Sequence, residues 1–213
     1  MRTASDGTMD RPLPPEFLQH LSALTSAYLR ATDPIRQSGF AGGSERWRVE
    51  RSAILEAVTG SGAILDVGCA NGYLLECLME WGKARDVALA PHGLDCSADL
   101  IALARRRLPK HADHFHVGNA WGWVPPRSYT YVYSLWDCVP PDYVGAYVKQ
   151  LLRTTVTPRG TLIIGAYGNR SRGVSPAPVD SLLAGLGLTV AGSASAGAPE
   201  MARFAWVRAM RAT

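Results

Sequence analysis

The sequence predicts a doubly wound α/β domain: a mostly parallel sheet with an antiparallel C-terminal strand, preceded by an N-terminal helical extension. Three observations carry this. Short apolar runs alternate with amphipathic stretches from residue 63 to 167, the pattern of a parallel sheet covered on both faces. One run, "AILDVGCANG", passes from strand character straight into a small-residue turn that opens a helix. Near the C-terminus, two apolar runs are joined by "AGAPEMA", which is too short for a crossover and suits a hairpin.

The elements follow in order. Residues 1–14 are polar and Pro-rich, and two helices are expected near 15–31 and 45–58, parted by "DPIRQSGFAGG", whose proline and glycines forbid one continuous helix. Strand 63–67, helix 72–81, strand 88–94 and helix 98–108 come next, with Ser97 placed to cap the last of these. Strands 114–118 and 129–135, helix 142–153 and strand 161–167 complete the alternation. The Pro/Ser/Gly loop "GNRSRGVSPAP" leads to a short helix, 179–186, and then to the strand-like runs "LTVAGSAS" and "RFAWVRAM".

Composition narrows the function. The chain has 213 residues, 47% hydrophobic and 19% charged, enough to bury a core and too apolar for disorder. The net charge of +4 is spread along the chain, so an anionic partner is permitted without being demanded. Of the 22 basic residues only Lys83, Lys110 and Lys149 are lysine. No stretch reaches the roughly 18 apolar residues of a membrane span, and "MRTASDGTMDRPLPPEF" lacks the apolar core of a signal peptide. A cytoplasmic protein is expected. Cys69, Cys77, Cys96 and Cys138 form no C-x-x-C pair, so neither a disulfide framework nor a zinc knuckle is expected.

Asp66 is an acid inside an apolar run, followed by Gly68, Cys69, Ala70 and Gly72. A turn of this kind at a strand's carboxyl end is expected to offer free backbone N–H groups to a ligand. A dinucleotide fingerprint would need glycines where this chain has Gly68, Ala70 and Tyr73, so the pyrophosphate reading loses most of its support. Asp95 lies at the end of the second strand, where an acid can accept from both ribose hydroxyls.

The series Asp66-Val67-Gly68-Cys69-Ala70-Asn71-Gly72 resembles motif I of the class I S-adenosyl-L-methionine (SAM)-dependent methyltransferases, whose sheet is Rossmann-like. Ala70 stands where glycine is commoner. "HGLDCSADL", "HVGNAWGW", "YTYVYSLWDCVPPD" and "VTPRGTLIIGAYG" resemble the family's later segments in the right order, covering about residues 45–168. The resemblance implies SAM as cofactor, met by Asp66, Gly68, Cys69, Ala70 and Gly72 at its amino acid half. Asp95 and Cys96 would meet the ribose side, with Asn119 and Ala120 at adenine, Trp121 available to stack and Leu135 at the end of the fourth strand. It also implies a transferase acting on a small-molecule acceptor at O, N or C. Residues 1–44 are then a helical extension and candidate lid, and 45–213 the SAM-binding methyltransferase domain. An RNA methyltransferase and a catalytically silent SAM-binding partner module are the rival readings.

Methyl transfer from a sulfonium needs positioning more than acid–base help. The best placed base is Asp137, just past the fourth strand, with a loop or capping acid as its structural reading. Trp47 and Arg51 share a helix face, Trp47 to cover the cofactor and Arg51 to pair with its carboxylate; alternatively this helix only packs on the sheet with its arginines in solvent. Gly39, Gly42 and Gly43 are candidate hinges. His111, His114 and His116 lack a completing acid or cysteine, so no metal is expected. Cys138 is not preceded by proline, unlike the pyrimidine C5 enzymes, and the Asn-Pro-Pro-aromatic motif of amino-group methylases is missing. "LARRRLPK" spreads its cations around a helix, so nucleic acid is not an expected partner.

Overall fold

The computed structural model describes residues 11–210. Seven strands form one sheet in the order β3-β2-β1-β4-β5-β7-β6. The strands are β1 (Gly62–Val67), β2 (Leu89–Asp95), β3 (Phe115–Val117), β4 (Tyr129–Leu135), β5 (Val156–Tyr167), β6 (Gly192–Ala196) and β7 (Ala202–Arg208). The first five pair in parallel, whereas β7 runs antiparallel to both β5 and β6. The helices are α1 (Pro15–Leu29), α2 (Gly43–Ser52), α3 (Tyr73–Lys83), α4 (Ala98–Arg107), α5 (Val144–Thr154) and α6 (Val179–Gly185). This is the doubly wound sheet expected from the sequence, with its antiparallel strand near the C-terminus.

Strand alternation sorts the core into two layers. Ile64, Tyr131, Tyr133, Ile163 and Phe204 point to the side of α2 and α3. Leu65, Val67, Val132, Leu162 and Ile164 point to α5 and α6, where Tyr147, Val148, Leu151 and Leu183 meet them. Asp66 takes the Ile64 face, at the strand's carboxyl end, in register with Gly93 of β2 and Tyr133 of β4.

Three local differences from the sequence reading have physical causes. The second helix stops at Ser52 and tightens into a 3-10 turn over Ala53–Ala57. β5 begins at Val156, and its ladder with β4 shifts register where Arg159 adopts φ 64°. The run "LTVAGSAS" is extended strand only from Gly192.

α1 differs from the other long helices, because none of its residues is buried. Its Phe17, Leu21, Leu24, Thr25 and Tyr28 are only half-buried, and all five line a cavity instead of a core.

Candidate active site

The carboxyl ends of β1, β2 and β4 open on two adjoining cavities of about 320 Å³ and about 60 Å³, which share Gly68 and Leu135. The turn after β1 separates them. Gly68 has φ 89° and Gly72 φ 73°, a region that favours glycine. A Cβ at Gly72 would stand 3.0 Å from that of Ala104, so this residue also sets how closely α4 approaches. Ala70 is held at φ 47°, a conformation that costs an L-residue about 1–2 kcal/mol.

The backbone of this turn corrects one expectation. Gly68 and Cys69 both donate to the Leu94 carbonyl (2.8 and 3.0 Å) and Gly72 donates to Cys69 (2.9 Å). Ala70 donates to Asp95 Oδ2 at 2.9 Å. These N–H groups are spent within the protein and are not offered to a ligand. The turn is therefore no phosphate cradle, and what it presents are carboxylates.

Asp66 is the first of these. It is 3% exposed, lines the smaller cavity and accepts no hydrogen bond among the described residues. Burial, and then the charge of Asp95, push its carboxyl up to about 8. Opposite it stand Trp47 and Arg51 of α2. Arg51 is 5% exposed, lies 3.7 Å over the Tyr167 ring and donates to Glu50 at 3.3 Å. This takes Arg51 out of solvent, whereas Arg48 of the same helix is exposed. Glu50 is buried and also accepts from Arg46 (2.9 Å). The Tyr167 hydroxyl is 2.9 Å from that of Tyr133, the register partner of Asp66. Trp47 packs on Phe40 (5.7 Å) and Tyr73 (5.4 Å), and its indole donates to the Cys77 thiol.

The larger cavity collects Asp95, Cys96, Asn119, Ala120, Leu135 and Asp137. Each Asp95 oxygen already accepts one backbone N–H, from Ala70 and from Ser97 (2.9 Å), which leaves further lone pairs free. Burial nevertheless raises its carboxyl above the ordinary range. Cys96 is exposed overall, yet partial desolvation raises its thiol, with the charge of Asp95 adding to the effect. Asp137 sits in a 3-10 turn after β4 and is exposed overall; its partial enclosure raises the carboxyl, against a backbone hydrogen bond and then the charge of His20, which lower it. Trp121 does not line the cavity. Its indole donates to the Arg11 carbonyl (2.9 Å) and its ring meets Tyr143 edge-on at 4.9 Å, so the expected stacking on a cavity ligand is not built here. Gly72 packs against α4 and lines neither cavity. Cys69 and Ala70 line the smaller one.

Sequence reasoning missed four residues. His20 and Tyr28 reach the larger cavity from α1. Burial raises the Tyr28 phenol, and the charges of Asp137 and Asp95 raise it further. The i, i+4, i+7, i+11 spacing of Phe17, Leu21, Leu24 and Tyr28 signals an apolar face, though not what that face covers. Asn71, fully buried, donates to the Pro34 carbonyl (3.0 Å) and to Gln37 (3.1 Å), tying the extension to the turn. Arg107, from the run whose cations spread around a helix, donates to the Asn71 carbonyl (3.1 Å) and to Glu76 (2.9 Å). Among the described residues no group of three His, Cys, Asp or Glu is arranged to hold a metal, and no helix is long and apolar enough to cross a membrane.

No family model matches the chain. A trans-aconitate 2-methyltransferase of Rhodopseudomonas palustris (strain HaA2) is 36% identical over 84 residues, which are 38% of this chain and 30% of that protein. The chain thus matches under a third of the length of this curated relative. Among solved structures, the N-methyltransferase NodS from Bradyrhizobium japonicum WM9, in complex with S-adenosyl-L-homocysteine (SAH), superposes with a TM-score of 0.67. Its identity is 16%, over 89% of this chain and 97% of that one. The 1,6-didemethyltoxoflavin-N1-methyltransferase of Burkholderia thailandensis, with 1,6-didemethyltoxoflavin and SAH bound, has a TM-score of 0.65 at 15% identity, covering 94% and 93%. The chain has the Rossmann-like fold of the class I methyltransferases.

Proposed function

We propose that this protein transfers a methyl group from SAM to a small-molecule acceptor. The observation that carries the reading is Asp66, a buried carboxylate with no donor among the described residues that opens on a cavity. Such a group is costly unless a cation meets it. The SAM ammonium supplies that cation, and Arg51 across the same small cavity suits its carboxylate. Asp95, with lone pairs to spare, suits the ribose hydroxyls, and Leu100, Asn119 and Ala120 flank the adenine side. A turn whose N–H groups are already spent favours this ligand over a dinucleotide.

When bound, SAM supplies a methyl group already activated on a sulfonium. The chain's part is to hold donor and acceptor in line and keep water out, and positioning of that kind is worth up to about 7–11 kcal/mol. Of the extension expected over 1–44, residues 1–10 lie outside the described residues and 11–44 serve as the lid: α1 lines the larger cavity, and Pro34–Ser38 is pinned to Asn71. Asp137 is placed to take a proton from the acceptor. The tricarboxylate in the name of the curated relative is not carried over, since the match leaves most of that protein uncovered.

The test is thermal unfolding with added ligands, followed by labelled-methyl transfer from SAM. SAM and SAH raise the melting temperature by mass action whereas NAD and NADP leave it unchanged. A shift with NAD and none with SAM would refute the reading.

A further inference from the structure

The acceptor side of the larger cavity is mainly apolar and, among the described residues lining it, carries no lysine or arginine. Phe17, Leu21 and Leu24 of α1 face Trp136, Val139 and Pro141 beyond β4. Among the described residues lining it, the formally charged ones are Asp95 and Asp137, and His20 is the one basic side chain. Arg51 lines the smaller cavity instead, engaged with Glu50 and stacked on Tyr167. Two carboxyl groups thus line the walls; burial raises the Tyr28 phenol, and the charges of Asp137 and Asp95 raise it further. A further carboxylate brought here would meet the like charges of Asp137 and Asp95, which oppose its binding.

The reaction itself moves positive charge. The bound ammonium gives a proton to the Asp137 carboxylate, and its freed lone pair makes the N–C bond while the C–S bond breaks and its electron pair stays on sulfur, leaving a neutral thioether. The nitrogen carries the positive charge until it gives up a proton. A carboxylate on the cavity wall stabilises the nitrogen in its charged forms, before the proton leaves and after the methyl group arrives. A carboxylate or phenolate acceptor would instead bring a second anion and end neutral, gaining nothing from Asp137.

Resting on the methyltransferase reading, we infer that the acceptor is a small, mainly apolar amine methylated on nitrogen. Its apolar body packs on Phe17, Leu21 and Leu24 and its nitrogen faces Asp137, whose carboxylate takes the released proton and returns it to water at the cavity mouth. Asp137 is thereby a specificity residue as well as the base.

Calorimetry on the full chain loaded with SAH tests this with a matched pair of probes, phenethylamine and 3-phenylpropionate, and with trans-aconitate. The amine is expected to bind at least about tenfold more tightly than either carboxylate, a difference of about 1.4 kcal/mol. Asp137→Asn should cut that preference to about threefold or less while SAH affinity stays within about twofold. Leu24→Arg, on a helix with no buried residue, should reverse the preference toward 3-phenylpropionate. Carboxylate binding equal to or tighter than that of phenethylamine, or no binding of phenethylamine, overturns the inference. Failure of SAH itself to bind would instead remove the methyltransferase reading, so the two failures are distinct.

Discussion

The hydroxyl of Ser38 donates to the side-chain oxygen of Asn71 at 2.8 Å, across 33 residues of chain. The same amide donates to the Pro34 carbonyl and to Gln37, and its oxygen also accepts the Tyr73 N–H that opens α3 (3.1 Å). One buried side chain thus joins the N-terminal extension, the turn after β1 and the start of a helix.

Asn71→Ala should therefore act on both stability and ligand affinity. It strands Gln37 and the Tyr73 N–H, at a cost of about 1–3 kcal/mol, and frees the loop that holds α1 over the cavity. Urea unfolding should show the loss, and calorimetry a SAM affinity weakened by about tenfold or more. Wild-type SAM affinity in a destabilised variant would separate the clamp from the lid.

Asp66→Asn should stabilise the ligand-free protein and cripple SAM binding. The folded-state pKa of Asp66, about 8, lies above that of a free carboxyl. Between about pH 4 and 8 the folded chain keeps a proton that the unfolded chain has lost, so stability falls as pH rises through that window. The neutral amide should remove this slope in melts across pH. In the wild type, SAM binding near pH 7 should release protons, visible as a binding enthalpy that varies with buffer.

Asp95→Ala should lose SAM affinity with a modest stability cost. Hydrogen bonds to a charged group are worth about 1.5–3 kcal/mol, and here they include those from Ala70 and Ser97 that shape the turn and start α4. If calorimetry shows unchanged SAM binding, Asp95 serves only those two N–H groups.

His92 should make the protein acid-labile. Its ring stacks on His114 at 4.1 Å and meets Tyr129 at 4.9 Å. Burial, followed by the charges of His114, Arg127, His116 and His111, lowers its pKa to about 4. A neutral His92 contributes its full stability above the unfolded value near 6.5, and that contribution is lost as pH falls from there through about 4. The loss should be about 1–3 kcal/mol in melts between pH 7 and 4, and His92→Gln should flatten it.

How much of this was legible in one dimension depends on the range of the forces involved. Strand and helix order, the turn after β1 and the strand-end position of Asp95 rest on periodicity and on residues within a few positions of one another, so the sequence by itself determined them. Ser97 shows the same locality, since its hydroxyl accepts from Leu100 in the first turn of α4. Local pattern does not say which surface a helix will meet. The apolar stripe of α1 reads as a core face, and only the tertiary structure decided that it roofs a cavity and carries His20 and Tyr28 there. Arg51 reads either as a partner for a carboxylate or as a solvated cation until Tyr167 covers it, and Trp121 reads as a stacking platform until Arg11 and Tyr143 claim it. Asn71 reads as a turn residue, although Pro34, Gln37 and Ser38, three of its side-chain partners, lie more than 30 positions away. In each case the deciding contact is long-range, and its gain appears only after loop closure has brought distant segments together.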